Sequence, residues 1–163
     1  MARANFGVEY IEKYGEIVYV DLPRGYVRIT NDFANKFLVK YDLPLIGPKY
    51  LHREMITPLV DSLTSIQENI HDNPFAQWDY IENLGIYCPR HMWHKKNKPL
   101  SMHAWGLALD IKSWENMPGT RGKIPMEIVE VFEDHGFEWG GRWRYRDDMH
   151  FELAIGRTQK TYF

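Results

Sequence analysis

A carboxylate stands inside an apolar run in the segment SMHAWGLALDI, which covers residues 101–111. The stretch LALDI has the length and composition of a buried β-strand, yet a buried ionised carboxylate is costly unless it is paired or binds a metal. Because alternate residues of a strand share a face, Leu107, Leu109 and Ile111 would face the core. We therefore expect Asp110 to face a cleft on the other side of the strand.

A second strand segment, MHFEL, repeats this arrangement near the end of the chain. Its apolar residues would pack on the core and leave His150 and Glu152 on the opposite face. A turn through Gly106 would bring His103 to the side of the sheet that carries Asp110. Two imidazoles and one carboxylate suit Zn²⁺, and three protein ligands leave a fourth position for water, as in catalytic zinc sites.

A general base should lie beside the water of such a site. Asp147, three residues before His150, can fold back over the metal from the loop RYRDD. Asp148 and Glu152 are the alternative carboxylates. Asp148 would point in a different direction from Asp147, whereas Glu152 shares a strand face with His150. We predict that Asp147 is the base and keep the other two as alternatives.

The segment SMHAWGLALD fits the pattern S-x-H-x-x-G-x-A-x-D, and in this it resembles the zinc D-alanyl-D-alanine carboxypeptidase family. That family also includes vancomycin-resistance dipeptidases and phage L-alanyl-D-glutamate endolysins. The later segments FEWGGRW and DDMHFEL resemble the second histidine element of the family and the stretch before it. The resemblance runs from about residue 84 to residue 153, so residues 1–50 form an unmatched extension.

The resemblance implies that His103, Asp110 and His150 bind one Zn²⁺ per chain and that Asp147 is the general base. It also implies an arginine upstream of the first motif that binds the carbonyl or carboxylate of the substrate, and Arg90 lies at about the expected distance. The implied fold is α+β, with a small antiparallel sheet packed by helices as in hedgehog domains and D-Ala-D-Ala peptidases. The implied activity is hydrolysis of peptide bonds in peptidoglycan stem peptides, as in a phage or prophage endolysin.

Two other functions remain compatible with the same residues. A D-Ala-D-Ala carboxypeptidase or dipeptidase of cell-wall metabolism would use the same zinc chemistry, because the loops that close the cleft decide which bond is cleaved. A zinc-stabilised binding or structural protein without turnover would keep the metal ligands, as hedgehog signalling domains do. Asp147 favours an enzyme, because a binding protein has no need of a base.

The rest of the sequence predicts one α+β domain over residues 1–163. One or two short strands, EIVYVDL and YVRIT, precede a helical turn, and apolar residues at helical spacing predict helices over residues 53–71 and 125–135. Strands and helices do not alternate regularly, which favours α+β over a doubly wound parallel sheet. Residues 91–100 are predicted to form a solvated basic loop. The histidines without a ligand context, predicted to be structural, are His52, His71 and His135.

Charge and hydropathy argue against other classes of protein. A formal net charge of −2 and a pI near 6.4 give no electrostatic basis for nucleic-acid binding. No apolar run approaches the roughly 18 residues of a membrane-spanning helix, so we expect no stable membrane insertion. The N-terminal stretch MARANFGVEYIEKYGE lacks the apolar core of a secretory signal. We expect a monomer that is made in the cytosol and reaches the wall peptides after another protein opens the membrane.

Overall fold

The structure, a computed structural model, describes residues 1–69 and 84–155. Within these ranges the chain is α+β, as predicted, and its strands pair in antiparallel sheets. The strands are β1 (Ala2–Ala4), β2 (Ile17–Asp21), β3 (Val27–Ile29), β4 (Leu38–Leu43), β5 (Gly47–His52), β6 (Leu84–Gly85), β7 (Ala108–Ile111), β8 (Phe137–Trp139) and β9 (His150–Leu153). The α-helices are α1 (Ile11–Tyr14), α2 (Phe33–Phe37), α3 (Ile56–Asn69) and α4 (Met126–Asp134).

The strands β6 to β9 form a four-stranded sheet with the order β6-β7-β9-β8. Strands β7 and β9, which are far apart in sequence, are neighbours at its centre. Their register places Asp110 opposite His150 and Ala108 opposite Glu152. Because directly paired residues of antiparallel strands share a face, the polar residues of β7 and β9 lie on one side of the sheet. Leu109 and Phe151, also paired, are fully buried on the other side.

The helices cover the apolar face of this sheet. Helix α3 buries Leu59, Leu63 and Ile66, which follow one another at helical spacing, and it contacts α4. It begins three residues later than the predicted helix, after a 3-10 turn, and predicted residues 70 and 71 lie outside the described ranges. Helix α4 agrees with its prediction to within one residue at each end. No helix among the described residues is both long and apolar enough to cross a bilayer.

Residues 1–52 form a three-stranded sheet, with the order β1-β2-β3, and the hairpin β4–β5. The sequence predicts β2 and β3 but does not predict the hairpin. The reason lies in β4, where the consecutive residues Lys40, Tyr41 and Asp42 are all exposed. A strand whose residues are solvated on both faces lacks the alternation by which strands are recognised.

The N-terminal elements share the hydrophobic core of the C-terminal sheet. Tyr14, Ile17 and Phe33 belong to the same buried cluster as Leu109 and Phe151. The residues before β7 lie directly against this N-terminal part, as two contacts illustrate. The indole of Trp105 donates a hydrogen bond to the carbonyl of Gly15 (3.1 Å). Gly106 has a φ of +69° and packs so closely on β5 that a Cβ there would lie 2.8 Å from the backbone nitrogen of His52.

Candidate metal centre and its cavity

Three of the predicted site residues converge at the sheet face described above. His103, Asp110 and His150 each offer a ligand atom, and these atoms lie within 4.8 Å of one another. His103 Nε2 lies 3.1 Å from Asp110 Oδ2, and His150 Nδ1 lies 3.1 Å from Asp110 Oδ1. The strand register positions two of them, and His103 enters from the 3-10 turn Met102–Trp105, which ends at Gly106 in the left-handed conformation. The turn predicted from Gly106 is therefore present.

Both imidazoles are held by the nitrogen that faces away from this convergence point. His103 Nδ1–H donates to the Ile86 carbonyl (2.7 Å), and His150 Nε2–H donates to Glu152 Oε2 (2.8 Å). A hydrogen bond on one ring nitrogen fixes the tautomer and the orientation of the ring, and metal-ligating histidines are usually held in this way. The nitrogens left to coordinate are His103 Nε2 and His150 Nδ1, the two that face Asp110.

The donor set fits a divalent cation such as Zn²⁺. His103 Nε2 is buried and, among the described residues, has no hydrogen-bond partner, because its approach to Asp110 does not have hydrogen-bond geometry. A buried nitrogen without a partner is costly, and a cation between it and the carboxylate would satisfy both. Two nitrogens and one carboxylate oxygen are also the donors that catalytic zinc sites use.

The electrostatics of the three groups are strongly coupled. Burial raises the pKa of Asp110, but the nearby charges of His103 and His150 and the hydrogen bond from His150 outweigh burial and hold it well below its usual range. Burial lowers the pKa of His150, but hydrogen bonds to Asp110 and Glu152 outweigh it and raise that pKa to about 10. A cation bound here would replace the His150 proton, so cation affinity should fall as the pH falls.

Asp147 lines the cavity that opens onto these groups. Burial raises its pKa to about 6, and the nearby Asp110 charge acts in the same direction. Its Oδ1 is buried and has no hydrogen-bond partner within the described ranges, so this oxygen is available to a ligand. The local chain is anchored by the backbone, because Asp147 N–H donates to the Gly140 carbonyl and Asp147 O accepts from His150 N–H.

The two alternative carboxylates are already engaged. Asp148 is buried outside this cavity, where it accepts hydrogen bonds from Arg146 Nε (2.6 Å) and from the Gly122 N–H (2.7 Å). Glu152 lines the cavity, but one of its oxygens is bound to His150 Nε2. Of the three carboxylates, Asp147 therefore has the environment that best suits a base.

Arg90 reaches the same cavity from a different part of the chain. Its Nη2 lies 3.9 Å from Asp110 Oδ2, and its side chain is mostly buried. Its backbone forms an isolated β-bridge with Tyr26, in the N-terminal part of the chain. The guanidinium is therefore positioned by contacts outside the four-stranded sheet.

The cavity has a volume of about 290 Å³ and combines the polar groups with apolar and aromatic side chains. Trp143 packs its ring 5.3 Å from the ring of His150, and its indole donates to Glu138 Oε1 (2.7 Å). Ser101 accepts the backbone N–H of His103 at 3.3 Å, so its hydroxyl serves the turn that carries a candidate ligand. The cavity can hold a small polar substituent beside the candidate cation position.

Residues 90–100, called the loop wall below, line the cavity through Arg90 and the turn that follows it. The predicted solvated loop is wrong for His91, which is 3% exposed. Its Nε2 lies 2.8 Å from Asp21 Oδ1 in β2, and its Nδ1 lies 2.6 Å from the Lys98 carbonyl. Long-range contacts of this kind turn a basic loop into a fixed structure, although Lys95 and Lys96 remain exposed.

Backbone geometry in the loop wall depends on the N-terminal sheet. Trp93 and His94 have φ angles of 53° and 55°, which non-glycine residues rarely adopt. Gly25 packs against this turn, has a φ of +74°, and leaves no room for a side chain because one would overlap the His94 carbonyl. The His91 N–H donates to the Gly25 carbonyl (2.8 Å). The strained turn is therefore supported by residues 21–27.

His52 and His135, which were predicted to be structural, are held by hydrogen bonds to the backbone. His52 is buried, with Nε2–H donating to the Tyr14 carbonyl (3.2 Å) and Nδ1 accepting from the Glu54 N–H (3.1 Å). Burial lowers the pKa of His52 to about 4, so its ring is neutral. His135 donates Nδ1–H to the Val131 carbonyl (2.7 Å). His71 lies outside the described residues.

A family model described as D-alanyl-D-alanine carboxypeptidase matches residues 94–153. This stretch contains His103, Asp110, Asp147 and His150 and excludes Arg90. The match covers a little over a third of the chain. This part of the chain is therefore similar to D-alanyl-D-alanine carboxypeptidases.

Comparison with curated proteins gives a different kind of similarity. The lipid A acyltransferase PagP of Salmonella typhimurium is 24% identical over 98 residues, which covers 53% of this chain and 52% of that protein. The protein of the same name from Salmonella paratyphi C is also 24% identical over 98 residues, with coverage of 53% and 51%. The chain thus spans about half the length of the curated relatives it matches. No solved structure matches it significantly.

Proposed function

We propose that this chain is a zinc-dependent peptidase that hydrolyses peptide bonds in peptidoglycan stem peptides, in the manner of a phage or prophage endolysin. The observation that carries the proposal is the convergence of His103 Nε2, Asp110 and His150 Nδ1, with both histidines held from behind. The family match over the same residues supports the peptidase class. The endolysin role rests on the sequence resemblance to phage enzymes.

His103, Asp110 and His150 would hold the zinc. Bound zinc would supply Lewis acidity, which polarises a carbonyl group and acidifies water near neutral pH. The protein's part is to fix the ligands before the substrate arrives. Ile86 and Glu152 do so by accepting the outer N–H groups of the two histidines.

Asp147 would act as the proton carrier of the reaction. With a pKa raised to about 6, its carboxylate is ionised at neutral pH and is more basic than an ordinary aspartate. It can accept a proton from the attacking water and then give that proton to the nitrogen of the leaving amine. A base whose pKa lies near the working pH is the most effective in both steps.

Arg90 would stabilise negative charge on the substrate. As water adds to the scissile carbonyl, the oxygen becomes an anion, and a fixed guanidinium can donate hydrogen bonds to it. This role is supported by the 3.9 Å distance between Arg90 Nη2 and Asp110 Oδ2. The same group could instead bind the terminal carboxylate of a stem peptide, which would favour a carboxypeptidase.

Digestion of purified cell-wall sacculi tests the proposal. We expect new amino termini within the stem peptides, identified by mass spectrometry, loss of activity on chelation and its return with Zn²⁺. Release of free D-alanine instead would identify a carboxypeptidase, and zinc binding without any cleavage would identify a binding protein. Transfer of an acyl chain to lipid A, the reaction named for the Salmonella relatives, would contradict the peptidase proposal. Localisation to the wall after release from the cytosol is part of the proposal and would be checked by fractionating lysing cells.

A further inference from the structure

A second cavity lies on the other side of residues 146–149. Asp147 and Met149 line the cavity of the candidate metal centre, whereas Arg146 and Asp148 line the second one. The two cavities thus lie on either side of residues 146–149, a segment that includes a turn closed by the hydrogen bond from His150 N–H to the Asp147 carbonyl. The second cavity has a volume of about 660 Å³, and neither the family match nor the proposed reaction assigns it a role.

The second cavity is lined by more cationic than acidic side chains, in a chain whose net charge is −2. Four cationic side chains line it, and Asp148 is its single acidic lining residue. Both oxygens of the Asp148 carboxylate already accept hydrogen bonds, Oδ1 from Arg146 Nε and Oδ2 from Arg146 Nη2 and the Gly122 N–H. The cationic lining residues are Arg121, Lys123, Arg142 and Arg146.

Two of these cations are held in fixed orientations. Arg146 is bound through Nε and Nη2 to Asp148, and Arg142 is bound through Nε and Nη2 to Glu133 (2.5 and 2.8 Å). A guanidinium has five N–H groups, so each arginine keeps N–H groups on Nη1 that no described hydrogen bond uses. Donors fixed in this way lose little side-chain entropy when they bind an oxyanion.

The other two cations have no acidic partner among the described residues. Arg121 and Lys123 are exposed at the rim, and neither forms a salt bridge within the described ranges. The backbone between them is anchored, because Gly122 N–H donates to Asp148 and Lys123 N–H donates to Asn116 Oδ1 (2.7 Å). Two fixed guanidinium groups and two adaptable cations therefore face one cavity.

From this arrangement we infer that the second cavity is a binding site for a phosphate group. Tetrahedral oxyanions with two or more negative charges suit several cationic donors, and arginine with lysine is the usual combination for phosphate. The phosphate group could belong to an anionic polymer or to a small free phosphate, and the cavity is open to both. The inference does not depend on the peptidase proposal, because it uses none of the candidate metal ligands.

The test is a titration of the full chain with inorganic phosphate at constant ionic strength, followed by calorimetry and by backbone amide NMR shifts. We expect saturable binding with shifts centred on Gly122 and Gly141, and at least about tenfold weaker binding in the Arg121→Gln/Lys123→Gln variant. The Arg28→Gln/Lys40→Gln variant removes the same charges from β3 and β4, so it should bind phosphate within twofold of the unchanged chain.

Three results of the phosphate titration would overturn the inference: equal weakening in both double variants, shifts centred on Arg90 and His150, or the absence of saturable binding. A second titration with a short polyphosphate chain separates the two sources of the group. Binding at least tenfold tighter than that of inorganic phosphate would identify a polymer as the ligand. Equal affinity would identify a small phosphate. Acetate at the same ionic strength should bind at least tenfold more weakly than phosphate, and equal binding would reject the phosphate assignment.

Discussion

The two sides of the metal-centre cavity are built in different ways. On one side, called the strand wall, the candidate ligands are carried by β7, β9 and the turn before β7, and the sheet register places Asp110 opposite His150. On the other side, the loop wall depends on the pairing of His91 and Lys96 with Asp21 and on backbone contacts with residues 25–27. The strand wall is fixed by sheet hydrogen bonds and core packing, and the loop wall is fixed by contacts to a separate sheet.

The difference suggests a division of labour. Ligand atoms must be placed within a few tenths of an ångström, and a packed sheet gives that precision. Substrate contacts vary between related enzymes and are commonly carried by loops on a rigid scaffold. Changes in the strand wall should therefore affect metal binding and chemistry, whereas changes in the loop wall outside Arg90 should affect substrate affinity. Each prediction below tests this separation.

The largest effect should follow loss of a ligand in the strand wall. In Asp110→Asn, we expect zinc to be lost and hydrolysis to fall to the detection limit, because the two imidazoles lose the carboxylate between them. Metal content by emission spectroscopy and activity on sacculi would be measured together. His135→Gln, which changes a histidine away from the cavity, should keep both. An Asp110→Asn protein with full metal content would contradict the assignment of Asp110 as a zinc ligand.

Removing the base should stop the chemistry without removing the metal. In Asp147→Asn, we expect kcat to fall by about 10²- to 10⁴-fold while the zinc content is unchanged. The unchanged enzyme should also lose activity as the pH falls through about 6, where Asp147 becomes protonated, and bound zinc would shift this midpoint to lower pH. A pH–rate profile of both proteins checks this. An Asp147→Asn enzyme with undiminished activity would show that Asp147 is not the general base and would favour Glu152 instead.

A smaller effect is expected from the group that holds His150 from behind. In Glu152→Gln, the carboxylate that accepts His150 Nε2–H becomes an amide, so we expect zinc affinity to fall by about 10- to 100-fold. Competition with a chelator of known affinity measures this directly. Glu130→Gln, at an exposed position of α4, is the matched control. Equal affinities in the two variants would show that Glu152 does not orient the ligand.

The loop wall should respond differently. Asp21→Asn weakens the contact to His91, so we expect KM for a stem peptide to rise by about two- to fivefold, with kcat and zinc affinity unchanged. Steady-state kinetics on a soluble peptide would separate the two parameters, and Asp42→Asn in the hairpin serves as the control. A change in zinc affinity in Asp21→Asn would mean that the two walls are not independent.

The smallest effect concerns stability. A carboxyl group whose pKa is raised from 3.8 to about 6 on folding contributes stability that is present below pH 3.8 and is lost as the pH rises through about 6. An asparagine side chain cannot ionise, so the Asp147→Asn variant does not lose stability as the pH rises. At pH 8 the zinc-free variant should therefore have a larger free energy of unfolding than the zinc-free unchanged chain, by on the order of 1 kcal/mol. Urea unfolding between pH 4 and pH 8 measures the difference, which should shrink toward pH 4. Asp134→Asn, at an exposed position, should show no such trend.

The faces of the strand wall could be predicted from the sequence because alternation within a strand is local, whereas the convergence of the ligands on one cation was implied by the family resemblance. Alternation in a strand decides on which face Asp110, His150 and Glu152 lie, and Gly106 marks the turn that returns His103 to the same face. The residue identities then restrict the metal. Helices α3 and α4 were predictable for a similar reason, since their apolar spacing repeats over several turns.

The loop wall could not be predicted in this way. The contact between His91 and Asp21 joins residues 70 positions apart, and neither residue stands in a recognisable pattern. Residues 91–100 are rich in lysine and histidine, so composition predicts a solvated loop and misses the buried ring. The outer partner of His103 was equally hidden, because a backbone carbonyl such as that of Ile86 leaves no trace in the residue type.

Through Gly25, the N-terminal part of the chain supports the loop wall as well as the hydrophobic core. The backbone of Gly25 lies against the His94 carbonyl, and Tyr26 forms a β-bridge with Arg90. Residues 21–27 therefore position Arg90 and the turn that follows it. A fragment limited to the family-matched residues would keep the candidate ligands and the base. It would lose residues 21–27, which support the loop wall on the substrate side of the cavity. Exchange of this N-terminal part between related enzymes is thus a rational route to altered peptide selectivity with the hydrolytic machinery left intact.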